Sequence, residues 1–134
     1  MSEASEVDTL IQLVELNVGN WKPLAVAIID INLKIWGEKG KIPQEYLKYY
    51  ENFPLKGMHV GDSVNNSNSF FMKVTEKTGV IVVMQDPHIS RLAAINLRGR
   101  LNALSPFYNL EKQIKEKEKK TILDKILKKE EKLW

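Results

Sequence analysis

Two runs of apolar residues rich in β-branched side chains constrain the fold of this chain most strongly. The first extends from Leu24 to Ile29 and the second from Val80 to Met84. Each has the length of a β-strand, and neither shows the alternation with polar residues that is typical of a strand with one solvent-facing side. We therefore expect both runs to be central strands of a sheet, buried on both faces. A sheet of this kind needs helices on each side.

The segments around these two runs carry helix and turn signals. Apolar residues recur at helical spacing from Val7 to Val18 and from Ile89 to Leu104. Asp86 followed by Pro87 is a typical start for the second of these helices. A short aromatic helix is predicted at 43–53, where Pro54 ends it. The predicted strands are, in chain order, 24–29, 33–37, 56–64, 70–75 and 80–84.

These elements follow one another in the order α-β-β-α-β-β-β-α. Consecutive strands are joined by short turns, such as the one at 30–32, and short turns require antiparallel pairing. We therefore predict an α+β fold, a five-stranded antiparallel sheet with helices on both faces. The third strand mixes glycine with polar residues and is expected at an edge of the sheet.

The charge of the chain is unevenly distributed. Residues 111–134 hold nine lysines and six acidic residues, whereas residues 1–110 hold eleven basic and eleven acidic residues. We therefore divide the chain into a domain at 1–110 and a Lys/Glu-rich, amphipathic helical tail at 111–134. The neutral domain lacks the basic patch that phosphate contacts need, so we expect no nucleic-acid partner.

Several classes of protein are disfavoured by the composition. No apolar run approaches the roughly 18 residues of a membrane span. The first six residues are acidic and polar, unlike a signal peptide. The chain contains no cysteine, which excludes disulfides and thiolate metal sites. Together these features favour a cytoplasmic protein.

The sequence offers no constellation of catalytic, cofactor-binding or metal-binding residues. The segment from Gly37 to Lys41 lacks the spacing of a phosphate-binding loop, so we do not expect the chain to bind GTP itself. His59 and His88 have no cluster of carboxylates beside them in the sequence. We therefore expect no enzyme activity, no cofactor and no metal.

The element order, the hairpin that begins at Ala27, and the run from Val80 into the helix at Ile89 resemble the roadblock/LC7 domain, a relative of longin and profilin-like folds. The resemblance covers about residues 5–105. It implies a dimer whose third strands join into one sheet and whose second helices lie side by side. It also implies a partner among the small Ras-like GTPases, which the domain would serve as scaffold or regulator. Some prokaryotic members act as GTPase-activating proteins.

This resemblance assigns a homodimer interface to the third strand and the second helix. The residues assigned to it are Met58, His59, Val60, Gly61, Ser63, Tyr46 and Tyr50. An exposed edge strand favours such pairing by itself. Tyr49 and Phe53 lie one turn apart on the helix. We predict that they contact a partner, although rings that pack locally while their polar groups reach water would explain the same pattern.

Three interpretations fit the tail. It is a solvated extension, a partner-binding or self-packing helix, or a helix on an anionic membrane surface. We favour the second and assign Ile122, Ile126 and Trp134 to partner binding. For the whole chain, the alternative to a GTPase partner is a PAS- or profilin-like small-molecule sensor, which requires a cavity between sheet and helices.

Overall fold

The computed structural model describes residues 3–53 and 57–132. The elements are, in chain order, α1 (Glu3–Asn17), β1 (Ala25–Asp30), β2 (Ile35–Lys39), α2 (Gln44–Glu51), β3 (Ser63–Asn66), β4 (Ser69–Lys73), β5 (Thr78–Val83), α3 (Pro87–Gly99), a 3₁₀ turn (Leu101–Leu104) and α4 (Phe107–Lys132). This order is the one predicted from the sequence, with α4 as the additional C-terminal helix.

The strands form one antiparallel sheet in the order β2-β1-β5-β4-β3. The two apolar strands lie side by side near its centre, in register from Ala25 opposite Val83 to Asp30 opposite Thr78. Every residue of both strands is buried. The predicted α+β class, the central position of these strands and the edge position of β3 are therefore confirmed.

The two faces of the sheet are covered unequally. On one face, which we call the α1 face, α1, α3, the 3₁₀ turn and the start of α4 pack over side chains such as Val26 and Phe70. On the other, the α2 face, α2 and adjoining loop residues pack over Ile29, Phe71 and Ile81. Helices on both faces are thus confirmed, but among the described residues a single α-helix, of eight residues, serves the α2 face.

The turn between β1 and β2 is held by a buried carboxylate. Asp30 accepts hydrogen bonds from the backbone N–H of Asn32, at 2.8 Å, and from Nε1 of Trp36, at 3.0 Å. Leu33 takes a left-handed conformation with φ 63°. Because these contacts keep the chain in the turn, β2 begins at Ile35, and the prediction that it begins at residue 33 is wrong.

The start of α3 is confirmed and its end is not. The Asp86 side chain accepts the backbone N–H of Ile89 at 2.8 Å, which is the predicted helix cap. The helix then ends at Gly99, and the apolar pattern that predicted a longer helix continues in the separate 3₁₀ turn, where Leu104 is buried. Both segments bury their apolar residues on the same side, so helical periodicity alone does not distinguish them.

The C-terminal helix begins inside the core. Phe107, Leu110 and Ile114 are buried on the α1 face, so the boundary drawn at 110/111 falls within one continuous helix. The Glu111 carboxylate accepts the backbone N–H of Lys77 at 3.2 Å, which joins α4 to the turn between β4 and β5. No helix in the described part of the chain combines the length and apolar composition that crossing a bilayer demands.

The pKa of Glu111 is lowered from its ordinary value of 4.5. Burial acts to raise it, but hydrogen bonds from Thr75, from Lys115 and from the backbone of Lys77 together outweigh that effect. A carboxyl group with a lowered pKa stabilises the folded state fully above its unfolded pKa. That stabilisation is lost as the pH falls through the folded value.

We therefore expect Glu111→Gln to lower the free energy of unfolding at neutral pH by about 1–2 kcal/mol, because the amide loses the charge-assisted hydrogen bonds. The difference between the two proteins should shrink as the pH falls below about 4.5. Urea unfolding at a series of pH values measures this. A difference that stays constant from neutral to acid pH would contradict the assigned role of the carboxylate.

Candidate partner-binding surface

Four aromatic residues on and just after α2 form what we call the α2 aromatic cluster, which consists of Tyr46, Tyr49, Tyr50 and Phe53. Tyr50 is fully buried, and its hydroxyl lies 2.8 Å from Oγ of Ser69 on β4. Burial raises the pKa of Tyr50 to about 12. Since Tyr50 anchors α2 to the sheet and has no exposed side-chain surface, its assignment to the dimer interface is corrected.

The other members of the cluster lie nearer to solvent. Tyr49 is 37% exposed, and the centroid of its ring lies 4.9 Å from that of Phe53 and 5.4 Å from that of Tyr50. Tyr46 is half-buried, and its hydroxyl donates a hydrogen bond to Oδ1 of Asn68 in the turn between β3 and β4. Tyr49 is therefore the member of the cluster with the most surface to offer, while its contact with a partner stays a prediction.

The first half of the predicted third strand is in fact a turn. The backbone N–H of Asp62 donates to the carbonyl of His59 at 3.0 Å, and the Asp62 carboxylate accepts the backbone N–H of His59 at 3.0 Å. Gly61 has φ +94°, a conformation that favours glycine. The strand is therefore Ser63–Asn66 alone, and the prediction that 57–62 belongs to it is wrong, while residue 56 lies outside the described residues. The pair Gly61-Asp62 is the turn signal that could have shown this.

The residues assigned to the dimer interface thus occupy different settings. Met58 is half-buried against the α2 face and Gly61 is buried, whereas His59, Val60 and Ser63 are exposed. The exposed three lie in the turn and at the start of the edge strand. This part of the prediction stays a prediction, because its test requires a second chain.

A buried lysine holds this turn against the sheet. The side chain of Lys73 on β4 is 2% exposed, and its Nζ donates to the carbonyl of Met58 at 2.9 Å and to Glu76 at 3.4 Å. The backbone N–H of Gly61 donates to the carbonyl of Lys73 at 2.7 Å. Sequence reasoning missed this residue, because a lysine in a strand is typically read as solvent-facing.

The sheet has two edges, and only one is protected. At β2, the pairing with β1 is interrupted by a register shift between Ile28 and Ile29, and Lys39 forms an ion pair with Glu15 of α1 at 3.1 Å. Register shifts and charges are features that discourage pairing with another chain. At the other edge, β3 reads Ser-Val-Asn-Asn and pairs only with β4. The uncharged β3 edge is therefore the better surface for an added strand.

The residues assigned to partner binding in the tail are exposed where the structure describes them. The exposed fractions are 58% for Ile122 and 49% for Ile126. Trp134 lies outside the described residues. Nearer the domain, the Lys117 Nζ lies 4.7 Å from the centroid of the Trp36 ring, a cation–π contact between α4 and the sheet edge.

No group of three or more His, Cys, Asp or Glu residues within the described parts of the chain could hold a metal ion. The Tyr50 and Phe71 rings, with centroids 6.1 Å apart, occupy space beneath α2 in which a small-molecule sensor would need a cavity. A groove of about 520 Å³ lies instead at the surface, at the end of α1 and in the loop to β1.

Comparison with known proteins assigns no family. No protein-family model matches the chain, and no curated protein matches it. Among solved structures, the chain is similar to the crystal structure of MglC from Myxococcus xanthus, at 16% sequence identity and a TM-score of 0.43. The match covers 70% of this chain and 98% of MglC. A likeness at this TM-score carries no argument about fold or function.

Replacing Lys73 with Met tests the role of the buried lysine. The variant keeps the apolar stem but loses the bond to the carbonyl of Met58. We therefore expect the free energy of unfolding to fall by about 1–3 kcal/mol, with faster amide hydrogen exchange at 57–62. Lys48→Met, at an exposed position on α2, is the matched control and should change neither. Equal effects in the two variants would rule out the anchoring role.

Proposed function

We propose that this chain is a non-catalytic, roadblock-like homodimer that binds a small Ras-like GTPase as scaffold or regulator. The observation that carries the proposal is the uncharged, unpaired β3 edge on the same sheet as the partly exposed Tyr49 and Phe53 pair. The element order α-β-β-α-β-β-β-α supports it, because the resemblance to the roadblock domain implies that order.

In the proposed dimer, the β3 strands of two copies pair across a two-fold axis. Backbone hydrogen bonds would extend the sheet of one copy into that of the other, and the two α2 helices would lie side by side. The exposed residues His59, Val60 and Ser63 stand at the start of this edge and would meet the second copy there. The buried Tyr50 and Lys73 would support the interface from within without contacting the partner.

The proposed GTPase contact uses the outer part of the α2 aromatic cluster. Tyr49 is already held by two neighbouring rings, so little side-chain freedom is left to lose on binding. Tyrosines in such positions often dominate the binding energy of an interface. Any effect on GTP hydrolysis would follow from reshaping the GTPase rather than from a catalytic group of this chain.

Tyr49→Ala should weaken binding to the GTPase at least tenfold, the loss typical of an interface hot spot. The measurement is titration calorimetry with each purified small Ras-like GTPase of the source genome, loaded in turn with GDP and with a GTP analogue. Tyr108→Ala is the matched control, because Tyr108 is 55% exposed at the start of α4 on the other side of the sheet. Its binding should equal that of the unmodified chain.

The melting temperature separates an interface residue from a core residue. Tyr49→Ala loses only ring contacts of about 0.5–1.5 kcal/mol, so it should melt within a few degrees of the unmodified chain. A large fall in melting temperature together with the loss of binding would mark Tyr49 as core. Binding to none of the GTPases in either nucleotide state would overturn the proposed partner.

Asn65→Lys tests the proposed dimer separately. Asn65 is exposed on β3, so a lysine there should leave the monomer folded while placing a like charge on each of the two paired strands. Light scattering should then show a dimer for the unmodified chain at micromolar concentration and a shift towards monomer for the variant. A monomeric unmodified chain would argue against pairing through β3.

A further inference from the structure

All the arginines of this chain lie within one short segment. They are Arg91, Arg98 and Arg100, whereas the lysines are spread along the chain. All three arginines are exposed, on α3 and at its C-cap. Arginine differs from lysine because its planar fork of N–H groups matches the two oxygens of a carboxylate. The placement of arginine in this segment alone therefore favours a surface that recognises anions by geometry as well as by charge.

Two of these arginines stand along one side of α3. Together with the residue between them they form what we call the arginine row, which consists of Arg91, Ile95 and Arg98. At 3.6 residues per turn, Arg91 and Arg98 project within about 20° of each other, and Ile95 projects within about 60° of both. Ile95 is 67% exposed. The row is about 10 Å long, with an apolar side chain between two cationic ones.

The arginine row lies on the side of α3 that faces the β3 edge of the sheet. On the other side of the helix, the Asn96 amide donates to the carbonyl of Val18, just after α1, at 3.1 Å. The stem of Arg98 instead lies at the turn before β3, where a Cβ added to Gly61 would be 3.8 Å from the Arg98 Cγ. Asn96 and Arg98 project about 160° apart around the helix, so these two contacts fix the orientation of the row.

No carboxylate in the described part of the chain neutralises the arginine row. None of the described acids forms an ion pair with Arg91 or Arg98. The acids that adjoin the two ends of the row are occupied, since Asp86 caps α3 and Asp62 closes the turn before β3. The segment 87–104 contains no acid of its own. The row therefore keeps its positive charge on both sides of an exposed isoleucine.

The two guanidinium groups are held at opposite ends of the row. Nε of Arg91 donates to the carbonyl of Pro87, one turn towards the start of α3, at 3.4 Å. Nε of Arg98 lies at the other end, 3.9 Å from the position of a Cβ on Gly61. Two groups directed in this way do not converge on a single anion. The row therefore fits two separate carboxylates, with an apolar side chain between them that packs on Ile95.

We propose that the arginine row binds an acidic segment of a partner protein. Two carboxylates of this segment, about 10 Å apart, accept hydrogen bonds from Arg91 and Arg98, and an apolar side chain between them packs on Ile95. An α-helix with acids seven residues apart has this spacing. Arginines beside apolar residues are typical of the centre of a protein interface. The proposal does not depend on the proposed GTPase contact, because the α2 aromatic cluster lies on the opposite face of the sheet.

Other occupants fit the arginine row less well. Nucleic acid would need more phosphate contacts than two arginines supply, and a membrane surface would need more than one apolar side chain to enter it. A second copy placed row against row would oppose like charges. Pairing of two copies through β3 would leave both α3 helices on the same face of the joined sheet, which adds positive charge beside the row. An acidic protein segment is the occupant that complements both the charge and the exposed Ile95.

A charge-swap cycle with a defined peptide tests the proposal. The probe is a helical peptide with two glutamates seven residues apart and leucines midway between them, titrated into the full chain at about 0.15 M salt. Arg98→Glu should weaken binding at least tenfold, and so should lysine in place of one of the two glutamates. The two changes together should recover most of the loss. Lys41→Glu is the matched control, because it makes the same charge change at an exposed position beside β2, at the opposite edge of the sheet.

Three further variants locate the contact. Arg91→Glu should be rescued by lysine at the other glutamate of the peptide and not at the one that pairs with Arg98. Arg98→Lys keeps the charge but loses the planar fork, so it should also weaken binding. Ile95→Ala should weaken binding severalfold. All three side chains are exposed, so the melting temperatures should stay close to that of the unmodified chain. Arg91→Glu keeps the test decisive if Arg98→Glu unfolds the turn at Gly61.

Three results would overturn the proposal. The first is an unmodified chain that does not bind the peptide at millimolar concentration. The second is a cycle in which the paired changes bind as weakly as the single ones. The third is binding of single-stranded RNA, or of vesicles containing anionic phospholipid, that Arg91→Glu abolishes while the peptide is not bound, which would assign the row to a nucleic acid or a membrane. Tyr49→Ala should leave peptide binding unchanged, so failure of the proposed GTPase contact is distinguished from failure here.

Discussion

The pairing of β1 with β5 is the interaction on which the other elements depend. Both strands are apolar along most of their length, and each is buried on both faces and flanked on both sides by another strand. A strand of this kind is stable only when helices cover both faces of its sheet. Asp30 of β1 and Thr78 of β5 are the polar residues at one end of this strand pair. Both are buried and have hydrogen-bond partners, so neither is an unsatisfied polar group.

The unequal cover of the two faces follows from this centre and determines where large side chains stay partly exposed. In the described parts of the chain, the α1 face receives three α-helices and the 3₁₀ turn, whereas the α2 face receives one α-helix of eight residues. A helix this short fills the space only with large side chains, and Tyr50 provides one beside Phe71. The rings at its margin, Tyr49 and Phe53, are then left partly open. The helix that completes the core on this face therefore also carries its exposed aromatic surface.

Sequence patterns predicted the elements that arise from strong local preference. The continuous apolar runs indicated the central strands, and Asp86 before Pro87 indicated the start of α3. The failures have a common cause, which is that a tertiary contact overrides the local pattern. The carboxylate of Asp62 closes a turn where strand pairing was expected, and a buried Lys73 holds that turn. Tyr50 and Tyr49 are adjacent and chemically identical, so only the packing of α2 on the sheet distinguishes core from surface.

In the tail, the local pattern predicted the helix correctly, and tertiary contacts decide which of its apolar residues are buried. Apolar residues at helical spacing predicted a helix, and α4 is one. Yet the apolar residues of its first two turns and those of its outer half lie on different sides, so one domain cannot bury both. If the apolar residues of α4 all lay along one side, a single domain could bury all of them. Because they lie on two sides, the second set, which consists of Ile122, Leu123, Ile126 and Leu127, stays exposed in the described structure.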